Sequence, residues 1–197
     1  MFVRNWMSAP AIVVPDVVPA SAALGLMENR GIRRLAVVRD GALAGIVTRG
    51  DLVGVLGHGG KVGLNSELTV GDVMTRDPVV VGRDETIEAA VRLMLEKKVS
   101  GLPVMDDEQL VGMITESDLF RAMGSLLGSG ESGARVVLSI PEDEELIAAL
   151  ERRSAGKDVR SLVALHDRKR GIWEVVMRVR GKAATRRRNA AASRSVR

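Results

Sequence analysis

Apolar residues along this chain recur at two spacings, and the switch between them happens in the same order twice. In the second half of the repeat pair, Val79-Val80-Val81 predicts a short strand. Ile87, Ala90, Val91, Met94 and Leu95 then recur three and four residues apart, which predicts a helix with one apolar face. Asp84 and Glu85 precede it and Lys97-Lys98 close it, the charge order a helix dipole favours. Residues 102–105 and 110–114 read as strands flanking the polar turn Asp106-Asp107-Glu108, and a helix through Leu119, Phe120 and Met123 follows. The first half predicts the same series: a strand at Ile12-Val13-Val14, a helix faced by Ala20, Ala23, Leu24 and Met27, and strands over 35–38 and 43–47 around Asp40-Gly41, a favoured hairpin dipeptide.

The two halves are one unit written twice. Residues 3–52 align with 70–119 without a gap at a shift of 67, and 16 of the 50 pairs are identical. Between them, residues 54–66 with Gly57, Gly59, Gly60 and Gly63 read as a flexible linker, because the pattern of a phosphate-cradling Gly-Lys-Ser/Thr loop fails at Val62. Beyond a second Gly/Ser stretch at 124–133, residues 134–180 read as β-α-β-β: a strand over 135–140, a helix opening at Pro141 with Glu142, Asp143, Glu144 and Glu145 in its first turn, and strands near 161–165 and 173–179. The expected fold class is α/β (α+β). Two repeats, 3–56 and 70–123, pack as a pseudo-twofold pair beside the small piece 134–180.

Composition narrows the chemistry. The chain has 197 residues, 46% of them hydrophobic, and no Cys, which excludes disulfides and thiolate metal sites. Its two histidines cannot hold a zinc ion alone. No apolar run approaches the ~20 residues of a membrane span, so a soluble cytoplasmic protein without membrane contact is expected. Six basic residues and no acid lie in 181–197; removing those six from 29 leaves 23 against 25 acids, a net of −2 for the remainder. That tail reads as a disordered, solvated end, and it is the one segment through which nucleic acid or an acidic partner would be engaged.

The repeated polar residues are the ones a core does not require. Gly45, Thr48 and Asp51 match Gly112, Thr115 and Asp118, each set where a strand runs into a helix. Thr-x-x-Asp is the spacing of a capping box, in which the hydroxyl and the carboxylate satisfy main-chain N–H groups. It also suits a ligand rim. The helix start presents free N–H groups and a positive dipole end, Asp offers two acceptors to the vicinal hydroxyls of a sugar, and the preceding Gly permits close approach. Both readings stand at this point.

These segments resemble the CBS domain, and the pair resembles the tandem CBS (Bateman) module. The resemblance rests on both Gly-h-h-Thr-x-x-Asp stretches, the Leu-x-Val strand ahead of each, and the opening Val73-Met74-Thr75 with its counterpart Trp6-Met7-Ser8. It implies a non-enzymatic regulatory module that binds AMP, ADP, ATP or S-adenosylmethionine, with or without Mg2+, and regulates an unidentified protein partner, as a homodimer. It further implies that Asp51 and Asp118 accept ribose hydroxyls, that Thr48 and Thr115 meet phosphate or sugar, that the backbone at Ala36-Val37 and Pro103-Val104 meets the adenine edge, and that residues near Ile12 and Val79 close the base pocket. Arg49, Arg33 and Arg34 are the phosphate candidates of the first site and Lys98 of the second; each reads equally as solvated surface charge. Because Arg49 is replaced by Glu116 and Arg34 by Gly101, unequal sites are expected, phosphorylated ligands favouring the Asp51 rim. Residues 134–180 resemble half of an ACT-like module of the kind attached to CBS pairs of the acetoin-utilisation type. The turn there lacks the family's Gly, so dimer contacts are expected of it rather than amino-acid binding.

Overall fold

The computed structural model describes residues 1–57, 68–130 and 132–180. The expected linker residues 58–66 and the basic tail 181–197 lie outside them. Two units divide the chain, Met1–Ala122 and a second beginning at Met123.

In the first unit, β1 (Val13–Pro15), α1 (Ala20–Arg30), β2 (Arg34–Arg39), β3 (Ala42–Thr48) and α2 (Arg49–Leu56) make the first repeat. After α3 (Val70–Val73) and β4 (Thr75–Arg76), the strands and helices β5 (Val81–Gly82), α4 (Ile87–Lys97), β6 (Gly101–Asp106), β7 (Gln109–Thr115) and α5 (Glu116–Leu126), whose last four residues belong to the second unit, make the second. In each repeat a parallel pair leads into an antiparallel hairpin, ordered β1-β2-β3 and β5-β6-β7. The first hairpin turns at Asp40 and Gly41, both at positive φ (51° and 82°), the conformation a tight two-residue turn requires.

The repeats are bound by exchange of their opening segments. β4, which opens the second repeat, pairs with β3 of the first, Thr75 opposite Ile46. The equivalent residue of the first repeat, Ser8, bridges Met113 on β7 of the second. Ser8 exchanges main-chain hydrogen bonds with Met113 at 2.9 and 3.0 Å. The apolar cores are crossed in the same way. Val70 and Met74 are buried with Met27, Leu35, Val37 and Leu52 of the first repeat, whereas Val3 is buried with Met94, Leu102, Val104 and Ile114 of the second. Full burial of one valine is worth about 1.5–3 kcal/mol, so neither repeat completes its core alone.

This exchange explains the repeated glycine. A Cβ on Gly45 would lie 2.7 Å from the carbonyl oxygen of Thr75, and one on Gly112 would lie 2.8 Å from that of Ser8. The close approach expected of a ligand is made instead by the backbone of the exchanged segment.

Several element limits differ from expectation. Leu95 is not on the buried face: Ile87, Ala90 and Met94 face the core, and Leu95, one position past Met94 and hence about 100° around the helix, is 74% exposed. On α5, Phe120 is 70% exposed. α2 continues through Gly54 to Leu56, because Leu56 returns to the core. The strand expected at 79–81 begins only at Val81.

The second unit contains β8 (Ala134–Pro141), α6 (Leu146–Ser154), β9 (Val159–Asp167) and β10 (Ile172–Val179), an antiparallel sheet in the order β8-β10-β9 with one helix. Ile140, Ala149, Val175, Met177 and Val179 form its core. Its helix does not open at Pro141. Pro141 is the last strand residue, opposite Ile172, and Glu142 N–H is held by the Gly171 carbonyl at 2.9 Å. The acids at 142–145 therefore precede the helix, and Glu144 turns back to pair with Arg153 at 3.2 Å.

Gly112→Ala is expected to lower the melting temperature, since overpacking against an immovable carbonyl costs about 1–3 kcal/mol. Gly54→Ala, in a helix with nothing within 4 Å of the added Cβ, is expected to raise stability by about 0.5–1 kcal/mol. Thermal and urea denaturation of the two variants check the contrast.

Candidate functional site

Thr48 ends β3 in an extended conformation and caps α2. Its N–H and its hydroxyl both donate to Oδ2 of Asp51, at 2.8 and 2.7 Å, and Asp51 N–H donates back to Thr48 Oγ1 at 3.3 Å. At the second rim, Thr115 N–H and Oγ1 donate to Asp118 Oδ2, both at 2.7 Å. A third box, outside the repeated motif, has the same form. Thr69 N–H and Oγ1 donate to Asp72 Oδ2 at 2.9 and 2.7 Å. The Thr69 hydroxyl and then its N–H hold the Asp72 carboxyl below the usual carboxylate range. Capping is thus what Thr-x-x-Asp does at every occurrence here, and it engages one carboxylate oxygen. What separates the two repeated sites is the other oxygen.

Oδ1 of Asp51 has no hydrogen bond among the described residues. Oδ1 of Asp118 is paired with the guanidinium of Arg121, one turn further along α5. Asp118 is 3% exposed and is the one buried charged side chain among the described residues. A buried carboxylate needs such partners, because desolvation without them is prohibitive.

A cavity of about 760 Å3 lies beside this second rim. One wall is the segment 5–12, another is residues 31–34, and the third is Met113, Thr115, Ser117 and Arg121. It is an asymmetric site built from both repeats. Of the expected residues it takes in Ile12 and Thr115, together with Arg33 and Arg34. Thr48, Arg49, Asp51, Ala36, Val37, Val79, Pro103, Val104, Lys98 and Asp118 do not line it. Ala36, Val37 and Val104 have no exposed surface. Ala36 and Val37 are also matched on both strand flanks, by Val13 and Val14 and by Ile46 and Gly45. Lys98 ends α4 in the left-handed region, at φ 55°.

The basic residues are not distributed as expected. Arg49 lies 3.8 Å from Glu28 and does not line this cavity. Arg34 crosses to the second repeat, where Nη2 donates to Ser100 Oγ at 2.5 Å. A Cβ on Gly101 would lie 2.8 Å from Arg34 Nη1. The Arg-to-Gly difference between the repeats is therefore complementary: the glycine of one copy makes room for the arginine of the other. Arg34 is held below its ordinary pKa by burial first and then by Arg33, while Glu116 and Asp118 act the other way. Arg33, Arg34 and Arg121 thus share one cavity on the Thr115 side. Sequence reasoning passed over Ser117, Arg121 and Trp6. The signal for the first two was available, since the equivalent positions in the first repeat are Gly50 and Gly54.

The CBS domain family model matches residues 3–58 and 70–125, and the chain belongs to that family. Among solved structures it is similar to the CBS domain pair of MJ0100 in complex with 5′-methylthioadenosine and S-adenosyl-L-methionine, at 27% identity and TM-score 0.56, over 64% of this chain and 97% of that one. It is also similar to CBSX2 in complex with AMP, at 29% identity and TM-score 0.54, over 63% and 96%. A third similar structure, from Vibrio cholerae, is described as an acetoin utilization protein, AcuB, at 27% identity and TM-score 0.58, over 68% and 98%. Among curated relatives, an inosine-5′-monophosphate dehydrogenase of Korarchaeum cryptofilum is 34% identical over 119 residues, 57% of this chain but 23% of that enzyme. The chain spans from about a quarter to half the length of the first curated relatives it matches.

Thr48→Ala removes a complete capping box and is expected to lower stability by about 0.5–2 kcal/mol in urea denaturation. Thr69→Ala is expected to return the Asp72 carboxyl toward the ordinary range, read by NMR titration. The sign follows from linkage. Asp72 titrates lower in the folded chain, so its contribution is present above the ordinary carboxylate pKa. It is lost as pH falls through the lowered value.

Proposed function

We propose that this chain is a regulatory module without catalytic activity of its own, which takes an adenine nucleotide in the cavity beside Thr115 and passes its occupancy to a partner protein. The observation that carries this reading is the meeting of Arg33, Arg34 and Arg121 with Thr115 and Ser117 around one cavity of about 760 Å3, within the size range of small-molecule sites. Ile12, Ile32 and Trp6 supply apolar wall for a base. The start of α5, with Thr115 and Ser117, faces the phosphate, and the α5 dipole adds to the attraction. MTA, S-adenosylmethionine and AMP in the similar CBS pairs support an adenosine core for the ligand. Three guanidinium groups favour nucleoside phosphates over the cationic sulfonium of S-adenosylmethionine.

A signal requires that the ligand prefer one arrangement of the repeats over another. The cavity is suited to this because its walls come from both repeats, joined by the exchanged segment 5–12. The reading includes a homodimer, for which the exposed Leu95 and Phe120 are apolar anchors. It also includes an ACT-like contact role for the second unit.

A thermal-shift panel of AMP, ADP, ATP, S-adenosylmethionine and MTA tests the ligand class. A nucleotide at about 100 times its dissociation constant stabilises by about 2.7 kcal/mol, so the phosphates are expected to raise the melting temperature and S-adenosylmethionine to do so less. No shift with any adenosine compound would overturn the reading. Sedimentation of the wild-type chain against Phe120→Lys tests the dimer, which is expected to weaken in the variant.

A further inference from the structure

The second rim holds a carboxylate that a sugar cannot reach as it stands. Oδ2 of Asp118 is taken by the N–H and the hydroxyl of Thr115, and Oδ1 by the guanidinium of Arg121. The carboxylate is almost wholly buried, whereas the Arg121 side chain is 66% exposed and lines the cavity. Arg121 therefore touches both Asp118 and the cavity. It also belongs to the basic group that an anionic ligand would meet.

We propose that Arg121 is an exchange latch which makes sugar recognition at this site depend on phosphate. The inference rests on the proposed nucleotide reading. A phosphate entering the cavity draws the Arg121 guanidinium off Asp118, and the vacated Oδ1 accepts a ribose hydroxyl. A nucleoside without phosphate has to break the Arg121–Asp118 ion pair with nothing to replace it.

Three observations support the exchange over a fixed structural pair. Arg121 reaches Asp118 from the next turn of the same helix, so a rotamer change suffices to move it between carboxylate and cavity. Arg33 has no ion-pair or hydrogen-bond partner for its side chain among the described residues and shares the cavity with Arg34, whose charged form burial and Arg33 both oppose; an anion relieves that repulsion. The latch is also confined to one repeat. The position equivalent to Arg121 is Gly54 in the first, and Asp51 there keeps Oδ1 unpaired among the described residues.

The test compares AMP with adenosine by calorimetry on the wild-type chain and on Arg121→Gln and Arg121→Lys. The wild type is expected to bind AMP more tightly. In Arg121→Gln, AMP binding is expected to weaken roughly 10- to 100-fold, the range set by one charged hydrogen bond. Adenosine binding is expected to tighten because the latch is gone, and Arg121→Lys is expected to restore part of the preference. A merely structural arginine would weaken both ligands together. Adenosine binding that is unchanged or weaker in Arg121→Gln would overturn the latch while leaving the nucleotide site intact. Failure of both ligands to bind the wild type would overturn the nucleotide reading and the latch with it.

Discussion

The backbone of one repeat laid against a glycine of the other is the constraint on which the first unit depends. Thr75 lies over Gly45, and Ser8 over Gly112, at distances that leave no room for a Cβ. Each contact fixes an exchanged segment, and each segment carries an apolar residue, Val70 or Val3, into the core of the opposite repeat. Mutual completion of this kind makes the pair, not the single repeat, the folding unit. It also decides where a cavity can form. The segment 5–12 must leave the second repeat's sheet to reach β1 of the first, and the hollow opens along that passage.

A capping box and a binding rim use the same two residues, and the third box shows how to tell them apart. Thr69 and Asp72 repeat the hydrogen bonds of the other two boxes at nearly the same distances, yet they line no part of the cavity. Tidying a helix start engages one carboxylate oxygen and leaves the second for other work. At Asp118 that second oxygen has a partner within reach of the cavity; at Asp51 it has none among the described residues. The two carboxylates therefore differ through what lies three residues beyond the motif, at Arg121 and Gly54.

Most of the fold was legible because the pattern is written twice. Strand, helix and hairpin in the weaker first copy could be read through the clearer second, and the hairpin positions agree closely with β2, β3, β6 and β7. What failed was whatever depends on a partner distant in sequence. Leu95 looked like a core position because periodicity locates a face only to within one residue. The four acids at 142–145 looked like a first helical turn, but Gly171 holds Glu142 at the end of a strand instead. The glycines suit the close approach of a ligand as the sequence stands alone, but the occupant is the chain's own backbone. Ile12 and Thr115 line the cavity together with Ser117 and Arg121, and the last two are legible only in what the copies do not share.

The differences between the copies carry more of the site than the identities do. Gly101 gives space that Arg34 fills from the other repeat, so a residue lost at one position and a charge gained at its equivalent are one packing event. A symmetric pair with arginine at both positions would set a guanidinium where that space now is. Keeping one arginine concentrates positive charge with Arg33 and Arg121 on a single side of the pseudo-twofold, and Glu116 on the same rim limits it. The exchange contacts, present twice, make the scaffold. The differences at 34, 54, 101 and 121 make one of its two rims unlike the other.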